Sequence, residues 1–191
     1  MAKRRNKQTM AYDQLSDEEV FALVQSANDQ LAFKTLYGRY NKRIYAYCLR
    51  VLGNREDAND VFQIIAMAIY DKRDSFKDGS FVAWLFTITR NTCLKAVRNR
   101  RTTTELNEEI HTKPDISSFS DDFILKDSLH RAVQSLQDEF REALELRYFD
   151  DLSYEQIAAC LGITESLAKI RVFRAKKQIA SILAPIMDEL K

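Results

Sequence analysis

Leu152-Ser153-Tyr154-Glu155-Gln156-Ile157-Ala158-Ala159-Cys160-Leu161-Gly162-Ile163 is the stretch on which the reading of the fold turns. Ser153 and Gln156 stand three apart ahead of an apolar run, the spacing of a capping box that opens a helix. Gly162 follows the last apolar turn, where easy access to positive φ lets the chain reverse sharply. A second helix then carries Lys169, Arg171, Arg174, Lys176 and Lys177. Ile157, Leu161, Ile163 and Ala168 fall where the two helices must touch, and small Ala158 permits their close approach. This is a helix-turn-helix pattern, in which the first helix supports and the second enters a DNA groove. By spacing, Leu167, Ile170 and Phe173 read as core, and Lys169, Arg171 and Arg174 as mostly outward. A basic helix is often only a solvated face. Here turn glycine, packing pattern and basic face coincide, which favours DNA contact by Lys169, Arg171, Arg174 and Lys176.

Working outward, the same punctuation recurs. Four glycines and two prolines in 191 residues, with apolar residues at helical rather than alternating spacing, predict an all-α chain. Ser16 with Glu19 caps a first helix holding Val20, Phe21, Leu23 and Val24. A long helix runs from about Asp29 to Leu52 and stops at Gly53. Asn54 caps a third, with Glu56 and Asp57 in the first turn, where the helix dipole favours acids. A fourth begins near Ser80 and passes through Phe81, Trp84, Leu85, Ile88 and Leu94. Beyond it the pattern lapses into threonines, serines, acids and Pro114. From Thr102 to Asp122 there are six acids against the single Lys113, the composition of a flexible acidic connector. Helical periodicity resumes with Phe123, Leu125, Leu129, Val133 and Leu136, then Phe140, Leu144, Leu146 and Tyr148. Pro185 is expected to kink or end the last helix.

Two small helical domains, 15–101 and 121–184, are thus expected, joined by the linker 102–120 and flanked by a basic tail, 1–14, and a short tail, 185–191. The fourth helix has its own electrostatic signature. No acid occurs between Asp78 and Glu105, whereas Arg90, Lys95, Arg98, Arg100 and Arg101 all fall in that gap. Interleaved Thr89, Asn91 and Thr92 add hydrogen-bonding groups, a combination suited to unstacked or single-stranded DNA. Phe81 and Trp84 read as core, and the loop from Asp74 to Ser80 as a segment able to close over an extruded base.

The net charge of +1 hides this segregation, so discrete basic patches are favoured over a uniform nucleic-acid coat. Cys48, Cys93 and Cys160 are odd in number and far apart, which argues for small buried apolar residues and against a disulfide framework or metal site. No cofactor is implied. No stretch of about 18 apolar residues occurs, and the basic N-terminus is not followed by an apolar run. A soluble cytoplasmic protein without membrane insertion is expected.

Three ordered stretches carry a family resemblance. Asn54-Arg55-Glu56-Asp57-Ala58-Asn59-Asp60-Val61-Phe62-Gln63, Phe81-Val82-Ala83-Trp84-Leu85-Phe86-Thr87-Ile88-Thr89-Arg90-Asn91 and Leu146-Arg147-Tyr148-Phe149-Asp150-Asp151-Leu152-Ser153-Tyr154-Glu155-Gln156-Ile157-Ala158 resemble bacterial sigma factors of the extracytoplasmic-function (ECF) type, over about 15–183. The resemblance implies a non-enzymatic transcription initiation factor. Its first domain (region 2) would bind the core RNA polymerase clamp and melt the minus-ten promoter element, its second (region 4) would read the minus-thirty-five element, and the linker would thread toward the polymerase active-site channel. By motif match, Asp57, Asp60 and Gln63 would face the clamp. Asn91 and Lys95 would lie near an extruded base, with Arg90, Arg98 and Arg101 along the same basic run, and Lys169, Arg171 and Arg174 would meet the upstream DNA. An anti-sigma factor, membrane-associated in many members, is an implied partner. The chain departs from the family's usual residues at Ile64, Ala66, Lys95 and Gln137, and along Ser166-Leu167-Ala168-Lys169-Ile170-Arg171.

Two other readings compete on the residues alone. A stand-alone helix-turn-helix regulator would use the second domain on an operator, without polymerase. A helical enzyme would use Asp57 and Asp60 as metal ligands or Glu56 as a base. Against the latter, His111 and His130 lie in or beside the linker, no phosphate-cradling glycine loop exists, and the acids fit a helix start.

Overall fold

The computed structural model describes residues 12–104 and 121–189, with the backbone alone for 101–104, 121–124, 126, 188 and 189. All regular structure among the described residues is helical, in two compact units that divide between Leu106 and Asn107. The first unit contains α1 (Asp17–Ala27), α2 (Gln30–Leu52), α3 (Arg55–Asp71), a 3-10 turn (Arg73–Ser75) and α4 (Phe81–Thr104). The second contains α5 (Asp121–Gln134), α6 (Asp138–Tyr148), α7 (Tyr154–Leu161) and α8 (Glu165–Glu189).

Side-chain caps fix most boundaries in the first unit. Glu19 N–H donates to Ser16 Oγ at 3.2 Å and Ser16 N–H to Glu19 Oε2 at 2.8 Å, which opens α1. Asp29 Oδ1 accepts from the N–H groups of Leu31 and Ala32 at 2.8 and 3.0 Å and so starts α2. The Tyr12 hydroxyl donates to the same carboxylate at 2.6 Å and holds its pKa below the ordinary aspartate value. Gly53, at φ 76°, ends α2 in the left-handed region, and Asn54 immediately caps α3.

The core of this unit is large and aromatic. Phe21, Leu36, Ile44, Ile65, Ile69, Leu85 and Phe86 are all buried. Phe21 contacts Phe81 and Phe76 at ring-centroid distances of 4.7 and 5.6 Å, and Trp84 closes the cluster at 5.7 Å from Phe76. Cys48 and Cys93 are buried free thiols with Sγ atoms 3.7 Å apart, and Cys160 is buried in the second unit.

The second unit packs more thinly. Leu136, Phe140, Leu144, Leu146, Leu152 and Ile157 are buried, against Ala168, Val172 and Ala175 from α8. Of the residues that carry the helical periodicity here, Leu129 and Tyr148 are exposed. Pro185 does not end α8: the helix runs through it to Glu189. The carbonyl that loses its partner belongs to Ser181, an exposed residue, so water can satisfy it.

Candidate nucleic-acid and polymerase interface

The helix-turn-helix is built by reciprocal caps. Gln156 N–H donates to Ser153 Oγ at 3.1 Å, and Ser153 N–H to Gln156 Oε1 at 2.9 Å. Gly162, at φ 66°, turns the chain, Ile163 N–H reaches back to Ala158 carbonyl at 3.0 Å, and Thr164 Oγ1 accepts from Leu167 N–H at 3.2 Å to begin α8. Ile157, Ala158 and Ala168 are buried where the two helices meet. The turn entering the motif is equally specific. Asp151 takes a left-handed φ of 49°, and Arg147 donates to Leu152 carbonyl at 2.9 Å while covering the Tyr154 ring.

The face that α8 turns outward differs from the sequence expectation in two ways. Leu167, Ile170 and Phe173 are not core: they are 37, 45 and 66% exposed, and Ala168, Val172 and Ala175 form the buried stripe instead. Small residues allow the backbones to approach, so the contact follows the alanines rather than the largest apolar side chains. Arg171 is not outward either. It lies beside that stripe with its side chain 18% exposed and donates to Glu139 of α6 at 2.8 Å. Lys169, Arg174 and Lys176 are exposed. Lys169 is paired with Glu165 at 2.6 Å, and Lys176 stands over the Tyr148 ring at 5.7 Å.

In the first unit, α4 divides along its length. One face, from the N-terminus to just past mid-helix, buries Phe81, Ala83, Leu85, Phe86, Ile88, Thr89 and Cys93. From mid-helix onward α4 presents Asn91, Lys95 and Arg98, which are exposed and separated by four and three residues, and so share one face. Arg90 is half-buried beside them, its guanidinium 3.4 Å from Asn91 Oδ1. Arg101 continues the helix, but its side chain lies outside the described residues. The loop leading into α4 is pinned: Gln25 donates to the carbonyls of Arg73 and Phe76 at 2.7 and 2.8 Å, and Trp84 Nε1 to Ser75 Oγ at 3.3 Å. Phe76 is buried, leaving Lys77, Asp78 and Gly79 as the exposed tip.

The acids of α3 separate into two kinds. Asp57 is engaged locally: its backbone N–H donates to Asn54 Oδ1 at 2.8 Å, its carboxylate accepts from Asn54 Nδ2 at 2.7 Å, and Arg100 of α4 lies at 3.4 Å. Asp60 and Gln63 are exposed, on one face with Ile64 and Met67. The two apolar members are 50 and 64% exposed. Met67 also lines an open surface groove of about 300 Å³ with Phe33, Ala66, Tyr70 and Asp71. Met67 is not among the sequence-predicted site residues, although 60, 63, 64 and 67 have the spacing of one helix face.

The family model of sigma-70 region 2 matches residues 36–103, and that of sigma-70 region 4 matches 126–179. The RNA polymerase sigma-H factor of Pseudomonas aeruginosa is 30% identical over 92% of this chain and 98% of that protein, and the ECF RNA polymerase sigma-E factor of Escherichia coli K12 matches to the same extent. The chain belongs to the ECF branch of the sigma-70 family. As an RNA polymerase sigma factor it acts in transcription initiation, the role its relatives are named for. Among solved structures, the sigma factor RpoE of Bartonella quintana, in complex with the anti-sigma factor NepR, is 28% identical at a TM-score of 0.62, over 80% of this chain and 96% of that one. CnrH, in complex with the cytosolic domain of CnrY, shares the fold at a TM-score of 0.67 and 23% identity, over 89% of this chain and 99% of that one. In this sigma factor no helix among the described residues is long and apolar enough to cross a membrane, and the described residues hold no cluster of potential metal ligands.

Proposed function

We propose that the first unit binds the clamp of core RNA polymerase and opens the minus-ten promoter element, while the second reads the minus-thirty-five element. The observation that carries this division is an exposed polar and cationic face in each unit: Asn91, Lys95 and Arg98 on α4, and Lys169, Arg174 and Lys176 on α8. Domain limits of 15–101 and 121–184 accompany it, with 102–120 as the linker toward the polymerase channel; residues 105–120 of that linker lie outside the described residues.

On α3, Asp60 and Gln63 are assigned to the clamp, supported by their exposure beside Ile64 and Met67, an apolar and charged mixture suited to a protein partner. Asp57 serves the same face from its cap, oriented by Asn54 and Arg100. On α4, Asn91 hydrogen-bonds the edge of an unstacked base and Lys95 neutralises the neighbouring phosphate, one turn away. Arg90, Arg98 and Arg101 extend the phosphate contact. On α8, Arg174, Lys169 and Lys176 reach the duplex, and Arg171 braces the helix through Glu139.

The protein works in the cytoplasm, where its polymerase and promoters are. We further assign it an anti-sigma factor as a partner, supported by the inhibitor bound in the RpoE structure. Transcription with purified core polymerase on a genomic fragment library tests the reading: discrete start sites that depend on this chain are expected. No chain-dependent start site, together with an operator footprint by the protein alone, overturns it in favour of a stand-alone regulator.

A further inference from the structure

α1 carries no lysine or arginine and opens on Asp17, Glu18 and Glu19, so it offers nothing to a phosphate backbone. One side of it nevertheless grips the loop that leads into α4. Glu18, Phe21 and Gln25 are spaced by three and four residues and share that side. Glu18 Oε1 accepts from the backbone N–H of Phe81, the first residue of α4, at 3.0 Å. Phe21 meets the rings of Phe76, Phe81 and Trp84 at centroid distances of 5.6, 4.7 and 5.1 Å. Gln25 Nε2 donates to the carbonyls of both Arg73 and Phe76. α1 is itself tied to α2 through Asp17, which accepts from Arg39 at 2.6 Å and from the Tyr40 hydroxyl. The loop is therefore held at both ends by polar groups 48 to 63 residues away in sequence.

The held loop stands at the head of the stripe that carries Asn91. Ser80, Trp84, Thr87, Asn91 and Lys95 are spaced by three and four residues along α4 and lie on one side of it. Trp84 joins that stripe to the loop through Ser75. A loop pinned in this way is a fixed wall rather than a lid. Unstacking a base already costs free energy, and ordering a loop at the same moment would add the conformational entropy of its backbone. Anchoring the loop beforehand removes that second cost. We infer that Glu18 and Gln25 of α1 are positioning residues for promoter opening: they fix the 73–80 loop, before DNA arrives, as one wall of the place that receives the unstacked base, and so set how selectively that base is taken. The inference rests on the assignment of Asn91 and α4 to promoter opening.

The test uses the full chain, alone and assembled with core polymerase, carrying Gln25→Met, which keeps the length of the side chain and removes both donors, or Glu18→Ala. Glu18→Gln keeps an acceptor oxygen for the Phe81 N–H and serves as the rescue. Glu18 is exposed, so its variants decide the matter even where Gln25→Met folds poorly. In the free chain, trypsin cleavage after Lys77 reports the loop directly and should accelerate about tenfold in Gln25→Met and Glu18→Ala, with cleavage inside α2 and α3 unchanged. In holoenzyme, closed-complex affinity should stay within about twofold while the opening rate, followed by permanganate, falls about tenfold. Base preference at the non-template position most sensitive to substitution should flatten in both variants and return in Glu18→Gln. Faster cleavage with unchanged opening and base preference overturns the inference and leaves the assignment of α4 standing. Unchanged cleavage after Lys77 shows that α1 does not hold the loop, and overturns it as well. Parallel losses of closed-complex affinity and opening, not rescued by Glu18→Gln, reduce α1 to a structural support and also overturn it. Asn91→Ala that opens promoters as wild type does removes the assignment and the inference together.

Discussion

The two cationic helices bury themselves in opposite ways. α4 buries seven residues, from Phe81 to Cys93, and leaves its exposed polar face from Asn91 onward, whereas α8 packs through two alanines and a valine and exposes nearly everything else. Burial of large side chains fixes a helix firmly but leaves little surface to display. Burial of small ones does the reverse, bringing backbones close while the long side chains face out. A helix that opens DNA needs a rigid platform for one base and its neighbouring phosphate. A helix that fills a groove needs contact area on most of its circumference.

The contrast predicts effects that fall in a definite order. Phe86→Ala empties a fully buried site in the first unit and should cost about 3–5 kcal/mol in denaturant unfolding. Phe173→Ala, on the exposed ridge of α8, should change stability by less than about 0.5 kcal/mol. Similar losses for the two variants would erase the distinction between platform and display. Next comes the clamp face: Asp60→Lys combined with Gln63→Ala should weaken core polymerase binding by at least about tenfold, ~1.4 kcal/mol, with an unchanged helical spectrum. Unchanged core affinity would move the clamp contact off α3.

Within α8, Arg174→Ala should weaken upstream binding by ~1–3 kcal/mol and relax preference at one position if the arginine is bidentate to guanine. Lys176→Ala should instead lower affinity for all sequences and reduce the salt dependence by about one counterion. The smallest effect belongs to the brace. Arg171 and Glu139 form a partly exposed pair, and a double-mutant cycle in thermal unfolding should give a coupling of about 0.2–1 kcal/mol. A coupling near zero, accompanied by loss of upstream preference in Arg171→Ala, would return the arginine to the DNA.

The sequence announced most helix boundaries because caps are local. Ser16 with Glu19, Asn54, and Ser153 with Gln156 each satisfy backbone donors three residues away, and Gly53 and Gly162 supply the left-handed turns. What it misjudged was the facing of α8. Hydropathy points to Leu167, Ile170 and Phe173, while close helix packing selects Ala168, Val172 and Ala175, and the positions of α5, α6 and α7 decide between the two stripes. Arg171 shows the same limit: Glu139 stands 32 residues earlier, and nothing in the spacing links them. Residues whose role depends on their own helix, such as Asn91 and Lys95, were visible as a shared face. Those whose role depends on a neighbouring helix were not.

The division of labour between the two helices is tested most directly by permanganate probing of thymines near the start site, alongside closed-complex affinity, with holoenzyme carrying Asn91→Ala or Arg174→Ala. Asn91→Ala should form the closed complex nearly as well as wild type and lose most of the reactivity, while Arg174→Ala should bind the closed promoter weakly and open normally once bound. Asn91→Ala that weakens the closed complex yet leaves opening per bound complex intact would make Asn91 a duplex contact and contradict the account.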